Sequence, residues 1–295
     1  MLTDILKSLG KKNRLTAPPP GDLGPDYPAI RAHVLKRLTE AEIGKEPFYH
    51  SYIEKIFPDD FYKALREHML SFKHSDKRQA RTQDNAAFVN QRYNLVECPD
   101  LLLRQFRAIF EDEEIKTAIL SKYYINPSAD LIANSHIHEE FEYVFCAADR
   151  FQNIHVDIPP KVASFVFYLP EHDVTEEEEL KNATILYGKD LKPKYGARFR
   201  GNSVCSFVSH FYSYHGFASI TERDVLVMFY IHEGEMDHWR KARKEDTPPY
   251  TGVLDAIEAK IRRHPLLEYG TSEERLAAER ADCKINAPKG RVMMD

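Results

Sequence analysis

Seven consecutive apolar residues, Val225-Leu226-Val227-Met228-Phe229-Tyr230-Ile231, stand between Arg223-Asp224 and His232-Glu233. A strand that is apolar on both faces has to be covered on both, so this segment belongs at the centre of a sheet. It is the last of a series of short apolar runs that begins after Ala129, each separated from the next by polar or Pro/Gly-containing turns. The series predicts strands over roughly 141–146, 151–157, 162–169, 184–187, 203–208 and 225–231. Their spacing suits an antiparallel barrel or sandwich.

Upstream, the pattern is helical from Phe48 to about Tyr123. Phe61, Leu65, Met69 and Phe72 recur at three- and four-residue steps, as do Leu102, Phe106 and Phe110. Prolines and glycines crowd residues 17–28, which predicts an arm or linker over 1–39. Residues 40–235 form the folded domain. Leu254, Ile257 and Ile261 return to helical spacing, so 236–295 is expected to be a C-terminal helical extension. The acidic run Glu176–Glu179 reads as a solvated loop.

The 295 residues suffice for one catalytic domain with decorated ends. Basic and acidic residues number 41 and 46, for a formal net charge of -5, and neither sign gathers into a stripe. A nucleic-acid or anionic-membrane partner normally recruits a concentrated basic surface, so small-molecule chemistry is the expectation. Cys98, Cys146, Cys205 and Cys283 lie too far apart for the paired spacings of zinc sites. They suit reduced thiols in a cytoplasmic protein, and the N-terminus has no apolar stretch of signal-peptide or membrane-spanning length.

Chemistry enters with His155-Val156-Asp157, at the end of the run Phe151-Gln152-Asn153-Ile154 and before Pro159-Pro160. Residues two apart on a strand share a face, so an imidazole and a carboxylate converge here as two ligands of a facial triad. By itself the triplet also fits a hydrogen-bonded pair at a strand end. A third ligand should be a His on another strand, leaving coordination positions open. His215, 58 residues after Asp157 (215 − 157 = 58), has the right order and distance, and Gly216 permits a close backbone approach. His210 is its rival in the same segment, while His136 and His138 lack a carboxylate in register with a strand end. Arg223 follows eight residues later (223 − 215 = 8), at the entrance to the apolar strand. An unpartnered Arg in an apolar core is unfavourable, so it should meet an anion there, and a dicarboxylate fits. A salt bridge to Glu222 or Asp224 is the alternative.

Together these residues resemble the Fe(II)- and 2-oxoglutarate-dependent oxygenases, in their prolyl-hydroxylase-like branch, across roughly residues 130–232. The resemblance is carried by His155-Val156-Asp157, Tyr168-Leu169, Leu186-Tyr187, His215-Gly216 and Arg223. A Gly-Gly or Gly-Thr often precedes the Leu-Tyr strand in relatives, where this chain has Asn182-Ala183-Thr184-Ile185. The resemblance implies a double-stranded β-helix, a jelly-roll core buttressed by α-helices. It implies Fe(II) held by His155, Asp157 and His215, with Arg223 binding the cosubstrate 2-oxoglutarate. Tyr168 is expected to donate to the same cosubstrate carboxylate or to be a core tyrosine. Dioxygen is the oxidant, with ascorbate as an accessory reductant. Additions outside the motif core build a pocket wall or dimer surface in relatives, so a homodimer through the terminal helices is a further expectation.

The implied reaction consumes 2-oxoglutarate and dioxygen, releases succinate and CO2, and oxidises a substrate, with hydroxylation as the default. Desaturation, ring closure and demethylation use the same oxidant. Because Asp157 supplies a carboxylate, no position is left for the chloride of halogenating relatives. Arg150, Gln152, Tyr187, His210 and Tyr214 are candidates to line a polar pocket for a small polar metabolite or natural-product intermediate, with a protein side chain as the second choice. A silent jelly-roll binding module and a zinc hydrolase with the same three ligands are the competing classes.

Overall fold

The computed structural model describes residues 23–73, 81–82, 90–95, 100–123, 137–158, 160–209, 212–232, 285–286 and 291–294. Two antiparallel sheets face each other. The larger has seven strands: β1 (His50–Glu54), β2 (Arg81–Thr82), β3 (Asn90–Asn94), β4 (Ile137–Cys146), β6 (Lys161–Tyr168), β9 (Ser203–Val208) and β11 (Arg223–His232), in the order β1-β9-β6-β11-β4-β3-β2. The smaller has six: β5 (Arg150–His155), β7 (Thr184–Tyr187), β8 (Pro193–Ala197), β10 (His215–Ser219), β12 (Ile285–Asn286) and β13 (Arg291–Met294), in the order β12-β13-β8-β7-β10-β5.

The apolar run Val225–Ile231 lies in β11, fourth of seven, flanked along its length by β4 and β6. Its alternation shows why both faces are apolar. Leu226, Met228 and Tyr230 join the cluster under the helices, whereas Val225, Val227, Phe229 and Ile231 join the cluster facing the smaller sheet.

The helical face is built by α1 (Tyr27–Glu40), α2 (Asp59–Lys73), α3 (Leu101–Glu111) and α4 (Glu113–Tyr123). Asp100 caps α3 by accepting from the Leu102 amide at 2.9 Å. Asp112, at the α3–α4 junction, accepts two hydrogen bonds from the Arg31 guanidinium at 2.9 and 2.7 Å, tying α1 to that junction. Beneath the helices, Phe57, Phe106, Phe110, Phe165 and Phe167 pack as tilted, edge-on and stacked rings 5.1 to 6.5 Å apart. Such a layer immobilises the back of the sheet, so residues on its other face are held rigidly.

The expected strands all occur, within a few residues at their ends. Four features differ from expectation. The folded body begins before residue 40, because α1 lies inside the expected arm and buries Ile30, Val34 and Leu38. Pro28 sits in the first turn of α1, where a missing N–H costs nothing, so proline there starts the helix instead of preventing it. The stretch from Phe48 is not uniformly helical, since β1 pairs with β9 there. In the C-terminal extension the described residues are strands, with β13 paired to β8, while Leu254, Ile257 and Ile261 lie outside the described residues. The acidic run forms α5 (Glu176–Lys181), capped by a reciprocal Thr175–Glu178 box, and Glu179 is buried against Arg198 and Arg200.

A buried cation locks α2 to the edge of the core. Lys73 Nζ lies 2.7 Å from Glu222, 3.1 Å from Glu171 and 3.2 Å from Asp224. Burial alone would depress the ammonium, but the carboxylates, Asp224 foremost, more than offset it and raise its pKa. On Asp224 burial wins over Lys73 and lifts the carboxyl to about 6. The folded protein therefore holds a proton that the unfolded chain has lost between about pH 4 and 6, and stability should fall as pH rises through that window. The expected contribution is on the order of 3 kcal/mol, read as the pH dependence of denaturant midpoints, and Asp224→Asn should remove it.

Candidate active site

The cluster forms where β5 meets β10. His215 pairs directly with His155 across these strands, so their side chains share a face, and the ring centroids are 4.2 Å apart. A register shift lies between His215 and Phe217, where Gly216 alone stands opposite Asn153 and Ile154 of β5. Asp157 lies just beyond the end of β5. One ligand atom from each of His155, Asp157 and His215 falls within 4.8 Å of the others.

Neighbouring groups prepare His215 and Asp157 as ligands. His215 Nδ1–H donates to the Ser213 carbonyl at 2.8 Å, leaving Nε2 with its lone pair 4.0 Å from Asp157 Oδ2. Burial lowers the His215 pKa, with Asp157 partly opposing, so the imidazole is neutral at pH 7. Burial by itself would raise Asp157, but Lys161 and the two imidazoles overcome it and hold the carboxyl well below the usual range. Ser164 Oγ donates to Asp157 Oδ2 at 2.5 Å, and Lys161 Nζ lies 2.9 Å from Oδ1. A neutral imidazole and an anchored carboxylate in one small volume are suited to a divalent first-row metal with open positions. A structural zinc site would close the set with a fourth ligand, and only three such residues gather here among the described residues.

The cluster opens into a cavity of about 360 Å³ between the sheets. Its apolar wall comes from Val144, Val166, Val225, Val227 and Phe229 of the larger sheet, with Phe207 and Phe217. Arg223 lies in the same cavity and is 3% exposed. Its Nε donates to the Asn182 carbonyl at 3.1 Å, its Nη2 donates to Thr184 Oγ1 at 2.7 Å, and it stacks on Phe217 at 4.0 Å. Glu222 and Asp224, the alternative partners considered from sequence, are both taken by Lys73. Among the described residues no carboxylate pairs with Arg223, and burial depresses its pKa. A buried guanidinium in a cavity without a counter-anion is a receptor for one.

Tyr168 stands behind this arrangement. It is fully buried, and its hydroxyl donates to Thr184 Oγ1 at 2.7 Å, so it braces the threonine that Arg223 also engages. Sequence reasoning missed Thr184, Ser164 and Lys161, since single polar residues inside apolar strands carry no periodic signal, and Asn182, which caps the end of α5. Of the polar candidates, Gln152 lines the cavity with its amide nitrogen 2.8 Å from His155 Nε2. Arg150, Tyr187 and Tyr214 are not among the lining residues. His138 lies on β4 beside Glu140, apart from the cluster, and His136 and His210 lie outside the described residues.

No family model and no curated protein matches the chain. Among solved structures, a prolyl-4-hydroxylase from Pseudomonas putida is 14% identical with a TM-score of 0.51, covering 70% of this chain and 100% of that one. A prolyl hydroxylase from Trichoplax adhaerens, in complex with a hypoxia inducible factor peptide fragment, is 11% identical with a TM-score of 0.51, covering 70% of this chain and 90% of that one. The two facing antiparallel sheets with their helical backing are thus the jelly-roll fold found in prolyl hydroxylases.

Proposed function

We propose that the chain is an Fe(II)- and 2-oxoglutarate-dependent dioxygenase that hydroxylates a small polar metabolite or natural-product intermediate, with succinate and CO2 as co-products. The observation that carries this is one shared cavity holding both the His155, Asp157, His215 cluster and the buried, anion-seeking Arg223. The three side chains would hold the iron, which supplies dioxygen activation coupled to decarboxylation of the cosubstrate. Arg223 would bind the far carboxylate of 2-oxoglutarate. Thr184, braced by Tyr168, orients the guanidinium. Val144, Val225 and Phe217 exclude water around that ion pair, which strengthens it. The volume, which must also admit the cosubstrate, favours a small substrate.

A protein side chain is the second reading, favoured by the two prolyl hydroxylases that share the fold. Screening metabolites against short peptides for accelerated succinate release separates the two.

The direct test is anaerobic addition of Fe(II) and 2-oxoglutarate, followed by the visible metal-to-ligand charge-transfer band. Wild-type protein should show the band. In Arg223→Leu, loss of a buried charge-paired contact worth about 2–5 kcal/mol should raise the 2-oxoglutarate Kd roughly 30-fold or more, with metal binding retained. A wild-type protein with no band and no succinate would sink the proposal.

A further inference from the structure

Lys161 is a second cation in the same cavity, at the opposite end from Arg223. In the β6–β11 pairing it stands opposite Ile231, eight positions along β11 from Arg223 (231 − 223 = 8), or roughly 27 Å along the backbone at strand rise. The cluster lies toward the Lys161 end, because Ser164, which donates to Asp157, stands opposite Phe229. A cosubstrate anchored at Arg223 thus approaches the cluster from one side while Lys161 borders it on the other.

Lys161 is held between the Asp157 carboxylate and the Phe229 ring. Its side chain is 12% exposed, its one ion pair among the described residues is with Asp157 Oδ1, and its ammonium sits 3.3 Å from the centre of the Phe229 ring. An ammonium has three donors. Asp157 accepts one and the ring face engages the charge, which leaves donor capacity facing the cavity.

Charge balance points the same way. Among the described residues the cavity walls carry two cations, Lys161 and Arg223, against the one carboxylate of Asp157. A divalent metal adds two positive charges and a dicarboxylate cosubstrate removes two, so one positive charge is left over. Its place is Lys161, because a metal on Asp157 draws on the carboxylate that now neutralises the ammonium. Closing a water-poor cavity over an excess charge is unfavourable unless the incoming molecule brings the opposite one.

We propose that Lys161 is a substrate-binding residue and that the substrate carries one carboxylate, held by Lys161 beside the metal cluster. The proposal rests on the oxygenase reading and deepens it by naming the substrate's charge class. A phosphate monoester, with nearly two negative charges, would overshoot the balance.

The test uses full-length protein saturated with Zn(II), which occupies the site without redox chemistry, and with 2-oxoglutarate. Calorimetric titrations compare hexanoate with hexanamide and cyclohexanecarboxylate with its amide, with cyclohexyl phosphate as a further arm. The carboxylate of each pair should bind at least about tenfold more tightly than its amide, without displacing 2-oxoglutarate. Lys161→Met should erase the preference and Lys161→Arg should keep it. Equal binding of acid and amide would overturn the proposal, and so would a preference that survives in Lys161→Met. Displacement of 2-oxoglutarate would place the probe at Arg223, and tighter binding of the phosphate would replace the carboxylate class; either result counts against it. Loss of metal affinity in Lys161→Met with the preference intact would reduce Lys161 to a positioning residue for Asp157. Failure of Zn(II) or 2-oxoglutarate to bind the wild-type protein would instead remove the oxygenase reading, and this proposal with it.

Discussion

Asp157→Ala should leave a folded protein that no longer converts 2-oxoglutarate into succinate. Removing the partner that merely orients a metal ligand costs about 10- to 100-fold, so removing the ligand itself should cost more than about 100-fold. Asp157 is the one carboxylate among the three candidate ligands, and without it two imidazoles remain to hold the metal. The fold should tolerate the change, because Asp157 lies past the end of β5 and its contacts are to Lys161 and Ser164, not to the aromatic layer under the helices. Circular dichroism and thermal melting would establish folding, and a coupled succinate assay would read turnover. Turnover near the wild-type rate in the folded variant would refute the ligand assignment.

Lys73→Met should be the most destabilising of the substitutions considered, at about 3–5 kcal/mol, because it leaves a buried carboxylate without its cation. Asp224 is 1% exposed and depends on Lys73, whereas Glu171 and Glu222 are open enough to be solvated. Stability of a domain totals only about 5–15 kcal/mol, so this loss should appear as a large drop in denaturant midpoint. The second variant decides the cause. Lys73→Met combined with Asp224→Asn should recover a substantial part of the loss, since the stranded charge is gone. No recovery would mean that the other contacts of the ammonium, with Glu171, Glu222 and the Phe145 ring 4.1 Å away, matter more than the stranded Asp224 charge.

That ion cluster also bears on the site. Asp224 and Glu222 flank Arg223 in sequence, and a salt bridge to either would have silenced the guanidinium. Strand alternation sends Asp224 to the helical face, where Lys73 receives it, and sends Arg223 into the cavity. The acids are spoken for by a lysine about 150 residues away in sequence, which no local pattern reveals.

Several elements were legible before any coordinates. The central strand followed from seven apolar residues in a row, since only burial on both faces tolerates them. The helices α2 and α3 followed from three- and four-residue steps, whereas the strand expected to carry both His155 and Asp157 ends at His155, and Asp157 lies beyond it. Other elements were hidden. The helix α1 begins among prolines that discourage helix elsewhere and here serve its first turn. The strand β10 is too short, at five residues, and carries Gly216 in place of an apolar alternation.

The sequence by itself determined the alternation of buried faces, the positions of the strands along the chain and the candidates for metal-competent side chains, because these depend on local period and residue chemistry. Only the tertiary structure decided which polar groups meet. Pairing of β10 with β5 set His215 against His155, and pairing of β6 with β11 set Lys161 at the far end of the cavity from Arg223. Lys73 removed the competing acids from Arg223. Such meetings join residues tens to more than a hundred positions apart, and their geometry follows from sheet register and packing, which arise only when the whole core closes.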